Sequence, residues 1–535
     1  MLVRSTLTLF GFILLSCVYK TTTDKPCAAR QIPRESVVCV CNSTYCDDFI
    51  REPPEDDSYV MYTSNKAGLR FEKEIKGFQK VGDKHCLYCS EIHLELDPSV
   101  TFQKVEGFGG AVTDAAAINW KSLNPALQYY IIKSYYTNEG VEYNMARVPI
   151  GGTDFSTRTY AYNEFPVDDA NLTNFHLAPE DYKLKIPMIW AIQNASQVPI
   201  HIVSSTWSPP PWMKTNNAFT GFSRLKEAYY QTYADYHLKF IQKYEAEGIP
   251  IWGITTTNEP INGIFHLTSF NSLGWTVNQL GKWIVNHLGP TIRNSTHNHI
   301  KILTCDDQRF TVPFFFNMML HEHPEALKII DGIAVHSYND FITPASVLNF
   351  VTKYYPDKFI ISTEASEGSF PWQNNVVLGS WDRAESYIHD ILEDLNHDVV
   401  GWIDWNLCLD LAGGPNWESN FVDSPILVNA RDQEFYKQPM FYALGQVSKL
   451  VPRNSTRIQV TETKSFFQRS VKHVAFVTPR NTTVLVLYNS GKAQSVTVKC
   501  VDVVAKLNLT AHSITTIEFK TRKEPEMKLE DLLTP

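Results

Sequence analysis

The chain has 535 residues, 44% of them hydrophobic and 20% charged, which is enough for two or three domains around a large core and excludes an intrinsically disordered protein. A formal net charge of −9, with no basic run or stripe, argues against nucleic acid as a partner. Aromatic residues make up 13% and include 12 Trp, a stock that serves a large core and a sugar-binding cleft equally well.

The opening stretch, MLVRSTLTLFGFILLSCVYK, sets one Arg ahead of an apolar run from Leu7 to Leu15 and then small and polar residues. This predicts a signal peptide over residues 1–20, too short to span a bilayer. The LLSC within it also fits a bacterial lipoprotein site. Seven N-x-S/T sites, at Asn42, Asn171, Asn194, Asn294, Asn454, Asn481 and Asn508, favour a eukaryotic secretory route and are the expected glycosylation positions. No other apolar run reaches membrane-span length, so no transmembrane segment is expected.

Residues 21–53 hold Cys27, Cys39, Cys41 and Cys46 in a stretch too short to build its own core, so disulfide staples are expected there. The spacing does not give two C-x-x-C pairs, which makes zinc the weaker alternative. Cys86 and Cys89 form a single such pair, either a local disulfide or two free thiols. Cys305, Cys408 and Cys500 are expected to be buried and free.

Residues 54–103, with SNKAGLRFEKEIKG and SEIHLELD, read as strands. From 104 to 449, short β-branched or apolar runs alternate with helix-like stretches: KVEGFGG, EYNMARVPI, PIHIVSST, PIWGITTTN, IKILTCD, GIAVHSY, KFIISTE and VVGWIDWN. Eight such runs predict an α/β fold, a (β/α)₈ TIM barrel. A doubly wound open sheet is the alternative, but GFGGAVTDAAA lacks the G-x-G-x-x-G spacing that such a sheet would be expected to carry. Residues 450–535 alternate in period two and predict a flanking β-sandwich, with the strands of 54–103 as its partners. The charged tail from Thr521 is expected to fray.

Chemistry in such a barrel sits at the C-terminal strand ends. Polar residues fall there repeatedly: Arg147 and Asp154, Trp207, Asn258 and Glu259, Asp306, His336 and Tyr338, Glu364, then Asp404 and Trp405. The acids on strands four and seven stand out, because those strands lie nearly opposite each other. Two carboxyls facing across a sugar are the minimal apparatus of glycoside hydrolysis, one donating a proton to the leaving oxygen and one attacking the anomeric carbon. Asn258 beside Glu259 could bond the sugar 2-hydroxyl, and Pro260 would end the strand. The bland alternative is a structural salt bridge from either Glu to an Arg such as Arg147. HEHPE at 321–325 is better read as a solvated turn than as a metal site.

CVCNSTYCD, FQKVEGFGGAVTDAAA, RVPIGGTDFSTRTY, TTTNEP, LTCDDQR, STEAS, LGSWDR, VVGWIDWNL, GGPNW, NFVDSPI and FYKQPMFY, in this order, resemble the glucosylceramidases of glycoside hydrolase family 30 over essentially the whole mature chain. The resemblance implies a retaining β-glucosidase acting on glucosylceramide, with Glu259 as acid/base and Glu364 as nucleophile. It implies a glucose pocket from Asp154, Trp207, Asn258, His336, Tyr338, Trp405 and Asn416, supported by Arg147. It further implies disulfides Cys27–Cys39 and Cys41–Cys46 and an immunoglobulin-like domain built from both chain ends; no metal or cofactor is expected, since HEHPE is the one candidate motif for metal catalysis and a weak one. The implied partners are glucosylceramide in membranes, an anionic phospholipid surface and a saposin-type activator protein, in the lysosome or outside the cell. Phe219, Phe222, Ile264 and Phe265 are the candidates for touching the membrane. The chain departs from the mammalian pattern at Thr153, where that pattern has Cys, and in the divergent loop IFHLTSFNSLGW. A β-xylosidase or endo-xylanase on the same fold is the alternative enzyme. A sugar-binding protein with an inactive site is the alternative that does no chemistry, and it would be expected to have lost one Glu.

Overall fold

The computed structural model describes residues 24–80, 91–265, 268–465 and 469–522. The expected signal peptide, Cys86, Cys89 and the end of the tail lie outside the described residues. Eight parallel strands close into a barrel: Gly107–Ala111, Met145–Ile150, His201–Thr206, Gly253–Thr255, Lys301–Gln308, Gly332–His336, Phe359–Glu364 and Val399–Asn406. Each of the eight overlaps one of the expected runs, in the expected order. Strand one needs its glycines, since a Cβ at Gly109 would overlap the Met145 carbonyl of strand two.

The barrel interior is layered. Met145, Val203, Leu303, Ala334, Ile361 and Ile403 form one apolar cluster inside it. Side chains on a strand alternate faces, so residues two further along point inward again, one layer nearer the C-terminal ends. There the sequence supplies Arg147, Ser205, His336, Thr363 and Trp405. The apolar layer is thus a floor on which a polar layer stands. Outside, the helix Trp381–Asn396 shows how the wall is made. Ser380 caps it, accepting from the Arg383 amide, and Trp381, Ala384, Ile388, Ile391 and Leu395 form its buried stripe.

The second domain joins both chain ends. Ser58–Asn65 pairs with Ser513–Lys520, and the long strand Ile92–Lys104 pairs with Thr456–Thr463 on one side and Gln494–Cys500 on the other. The resulting sheet of ten strands folds over one core, in which Tyr59, Leu485 and Ile517 meet Leu94, Val496 and Ala505. The Tyr59 hydroxyl reaches the Lys506 carbonyl at 3.3 Å, across the two layers of the sandwich.

Cys27–Cys39 and Cys41–Cys46 are disulfides, so the four thiols are not available to zinc, while Cys305, Cys408 and Cys500 are free and buried. The stapled segment does not stand apart. Its strands Ala29–Gln31 and Val37–Asn42 pair with each other, and the latter pairs with Glu434–Lys437 in a five-stranded sheet whose other three members, Leu409–Asp410, Ile426–Asn429 and Glu434–Lys437, follow barrel strand eight. Lys437, fully buried, locks this seam with an ion pair to Asp47 at 3.0 Å. Among the described residues, no helix is long and apolar enough to cross a membrane.

Candidate active site

Glu364 ends strand seven, as its position in FIISTE requires. Glu259 arrives differently. Strand four is only Gly253–Thr255, and Pro260 opens the helix Pro260–Phe265 instead of ending a strand. The four residues between are held by both neighbouring strands in turn: the Thr256 amide donates to Leu303 O, Asn258 to Thr206 O, and Glu259 to Asp306 O. Glu259 sits at φ +42°, a strained backbone for a non-glycine residue, and such strain is concentrated at functional sites.

A carboxylate oxygen of Glu259, one of Glu364 and a ring nitrogen of His336 all lie within 4.8 Å of one another. Both acids are almost fully buried. Their surroundings differ. Glu259 accepts from the Asn262 amide at 2.6 Å, the Gln308 amide at 3.0 Å and His336 Nδ1 at 2.9 Å. Glu364 pairs with the Arg147 guanidinium and accepts from the Tyr338 hydroxyl at 2.8 Å. Burial pushes the Glu364 carboxyl up; Arg147 and His336 oppose this and the charge of Glu259 adds to it, leaving it raised.

Arg147 is fully buried and organises the centre. Its Nη2 donates to Asn258 Oδ1 and Asp306 Oδ2, both at 2.8 Å, and its Cζ stands 4.8 Å above the Trp207 ring and 5.5 Å from that of Trp405. Trp207 and Trp405 stack at 5.2 Å with 19° between planes. The salt bridge offered above as the bland alternative therefore exists, and it lies inside the site.

Asp306 is the anchor that sequence patterning noted only as a strand-end acid. A bulge in strand five, with Cys305 and Asp306 both at positive φ, turns its side chain into the barrel. It accepts from Arg147, His336, Ser205, Thr255 and Thr363. Burial alone would raise its pKa, but Arg147 and His336 hold it well below the ordinary carboxylate range. Burial lowers the His336 imidazole, yet Glu364, Asp306 and Glu259 outweigh that and raise it to about 10. His336 is thus an imidazolium whose two N–H groups face carboxylates. Protonated at both nitrogens between carboxylates, His336 suits the cluster of Glu259, His336 and Glu364 to proton chemistry.

At the rim, Asp154 accepts from Asn416 at 3.1 Å and Asn420 at 3.0 Å, and burial raises its carboxyl to about 7. Asp404 takes the Tyr387 hydroxyl at 2.8 Å and is raised by burial to about 8. The structure gathers the strand-end set Arg147, Trp207, Asn258, Glu259, His336, Tyr338, Glu364 and Trp405 around one point, and Asp154 and Asn416 bond each other beside it. Patterning gave no site role to Ser205, Thr255, Asn262, Asp306, Gln308, Thr363 or Asn420. For Ser205 and Thr363 the signal was present, since both fall in the inward register of their strands.

Of the four candidates for membrane contact, Phe222 and Phe265 are exposed and Phe219 and Ile264 are half-buried. Phe341 and Trp372, which patterning missed, are 67% and 72% exposed.

Comparison with known proteins follows this geometry. The model of the glycosyl hydrolase family 30 TIM-barrel domain matches residues 105–451, and that of the family's β-sandwich domain matches residues 454–517. The lysosomal acid glucosylceramidase of Mus musculus is 40% identical over 491 residues, covering 90% of this chain and 92% of the relative. A putative glucosylceramidase 3 of Caenorhabditis elegans is likewise 40% identical, over 91% of this chain and 93% of its own. The crystal structure of SrfJ from Salmonella typhimurium superposes with a TM-score of 0.79 at 23% identity, over 87% of this chain and all of that one, a likeness of fold. The chain belongs to glycosyl hydrolase family 30.

Proposed function

We propose that the protein is a retaining β-glucosidase that hydrolyses the glucosyl bond of glucosylceramide to glucose and ceramide. The observation that carries this is the approach of Glu259 and Glu364 to within 4.8 Å, the short separation that leaves no room for a water between carboxyl and sugar and so favours attack by the enzyme itself. The 40% identity to a glucosylceramidase over most of both chains supports the substrate.

Glu364 attacks the anomeric carbon, and its ion pair with Arg147 aims one oxygen while Tyr338 holds the other. Glu259 delivers a proton to the ceramide oxygen. Departure of ceramide leaves a glucosyl ester on Glu364, and Glu259, now ionised, draws a proton from the water that cleaves it. Asn258 has its carbonyl engaged by Arg147, so its NH₂ is the end available to the sugar 2-hydroxyl. Asp154 and Asn416 are suited to the far hydroxyls, and the Trp207–Trp405 stack to the apolar face of the ring.

A lipid substrate requires work at a membrane surface. Exposed Phe222, Phe341 and Trp372 lie on loops that follow barrel strands, and exposed Phe265 ends the short helix after strand four, on the face that carries the site. These support docking on an anionic phospholipid surface in the lysosome, with a saposin-type activator as helper. The N-glycosylation expected at the seven Asn sites fits that route; six are exposed and Asn42 is half-buried. The test is turnover of glucosylceramide in anionic vesicles compared with an aryl β-glucoside and a xylan. Glucosylceramide should be cleaved and xylan not; cleavage of xylan alone would favour the endo-xylanase alternative.

A further inference from the structure

The two oxygens of the Glu259 carboxyl are bonded unequally. Oε1 accepts from two donors, the Gln308 amide at 3.0 Å and His336 Nδ1 at 2.9 Å, which fill both of its lone pairs. A proton can sit there only if one of those donors leaves. Oε2 accepts from one donor among the described residues, the Asn262 amide at 2.6 Å, and keeps a lone pair. The transferable proton therefore belongs on Oε2, at the lone pair that Asn262 does not fill. Asn262 is itself pinned. It is buried in the helix Pro260–Phe265, and its backbone N–H donates to the Glu259 carbonyl at 3.0 Å. At the start of this helix the Asp307 carboxyl accepts from the Ile261 N–H at 3.3 Å. On its other side the Gly263 carbonyl accepts from the Ser223 N–H at 3.0 Å, and a Cβ on Gly263 would overlap the Gly274 nitrogen. A helix clamped on both sides leaves the Asn262 side chain little freedom to move off Glu259.

We propose that Asn262 is the positioning residue for proton transfer: its NH₂ fills one lone pair of Glu259 Oε2 and so holds the proton on the other, facing the leaving oxygen. The inference rests on the reading of Glu259 as the acid/base. It divides the work among the neighbours. Gln308 and His336 hold the carboxyl, and Asn262 decides where its proton points. In the first step the proton passes from Oε2 to the ceramide oxygen as the glycosidic bond breaks, and the carboxylate left behind keeps all three donors. In the second, Oε2 takes a proton from water as the water oxygen bonds the anomeric carbon and the Glu364 ester opens. Asn262 makes the same bond in both steps. Which end of its amide faces inward matters: Oδ1 in place of the NH₂ would accept the proton and withhold it. The charged and titratable groups around Glu259 are Arg147, Asp306, Asp307, His336, Tyr338 and Glu364, on strands two, five and seven and at the end of strand six. Asn262 is neutral, so its replacement by Ala changes a hydrogen bond and no charge.

The experiment uses the full-length chain and compares kcat/KM, which reports the first step, across β-glucosides with graded leaving groups. Dinitrophenol leaves without a proton, and an alkyl alcohol needs one. In Asn262→Ala the alkyl glucoside should lose about 10–100-fold, a share of what general acid catalysis and its alignment are worth, and the dinitrophenyl glucoside less than about threefold. A packing defect would lower both alike. Asn262→Asp keeps the shape and puts an acceptor where the donor was. It should give the same split, and it carries the test if the Ala variant fails to fold. The alkaline limb of the alkyl-glucoside profile should also move to higher pH in Asn262→Ala, because the lost N–H bonds the charged form of Glu259. Parallel losses on both substrates, or an unmoved limb, overturn the proposal. Glu259→Gln, run alongside, separates the two claims. If it shows the split and the Asn262 variants do not, Asn262 does not orient the proton and Glu259 remains the acid. If Glu259→Gln shows no split, Glu259 is not the acid and both readings fall.

Discussion

Tyr338 and Arg147 both hold the Glu364 carboxyl, and they can be separated by substitution. Tyr338→Phe removes one donor to the charged form, which was lowering the pKa of Glu364, and leaves the Arg147 pair intact. The carboxyl should therefore titrate higher still, and the acid limb of kcat/KM should move to higher pH, because the nucleophile works ionised. An unchanged acid limb in a pH–rate profile would mean that Glu364 does not set it. Arg147→Met is harsher. It leaves Asp306 buried without its main counter-charge, a loss on the order of 3–5 kcal/mol that a denaturant titration would show. The residues that touch these acids were only partly legible in the chain. Glu259, Glu364 and Arg147 sit in strand-like runs whose ends patterning can find. Asp306 could not be given its role that way, since two consecutive positive φ angles shift the register by one and no alternation of residue types announces them.

Elements recovered most cleanly were the barrel strands with a continuous apolar interior, such as Met145–Ile150 and Phe359–Glu364. Strand four was read as longer than it is. PIWGITTTN continues the β-branched pattern past Thr255, but the backbone there leaves the ladder to bring Glu259 under Asp306 O. Local propensity cannot report a backbone that is strained for the sake of the site. The stapled segment makes its own prediction. Cys39 and Cys41 lie on the strand that pairs with Glu434–Lys437, so losing the Cys27–Cys39 bridge loosens a seam of the barrel and not a detached hairpin. Replacing both cysteines by Ser should cost about 2–5 kcal/mol, visible as a lower midpoint in chemical denaturation. An unchanged midpoint would show the buried Lys437–Asp47 pair to be sufficient by itself.

For the molecule as a whole, the buried acids set the pH at which it is most stable. Burial first, against partly opposing hydrogen bonds, raises Asp114 to about 6, Asp154 to about 7 and Asp404 to about 8. A carboxyl raised in the folded state binds its proton more tightly there, so its contribution is present below the ordinary value near 3.8 and is lost as pH rises through the folded value. His336, raised to about 10, loses its own contribution from about 6.5 upward. His237, lowered to about 4 by burial, acts in the opposite sense below 6.5. Lys214, lowered to about 7 by burial, does so above 7. The sum favours acid, so the melting temperature should be higher near pH 5 than near pH 8, as suits an acidic compartment. Scanning calorimetry across that range checks it, and a maximum at alkaline pH would contradict it. The sandwich was legible as period-two strands. The pairing of Ser58–Asn65 with Ser513–Lys520, across the whole chain, was expected from their flanking positions and not from any property of either strand.

The central claim is that Glu364 takes the sugar and Glu259 moves the proton. Its most direct measurement is intact-mass spectrometry and peptide mapping after reaction with a fluoro-glucoside whose leaving group needs no proton. In Glu259→Gln a glucosyl-enzyme should accumulate with the sugar on Glu364, while glucosylceramide turnover collapses; in Glu364→Gln no adduct should form with any substrate. An adduct in Glu364→Gln together with none in Glu259→Gln would reverse the two roles, and a label mapped to any other residue would contradict the site.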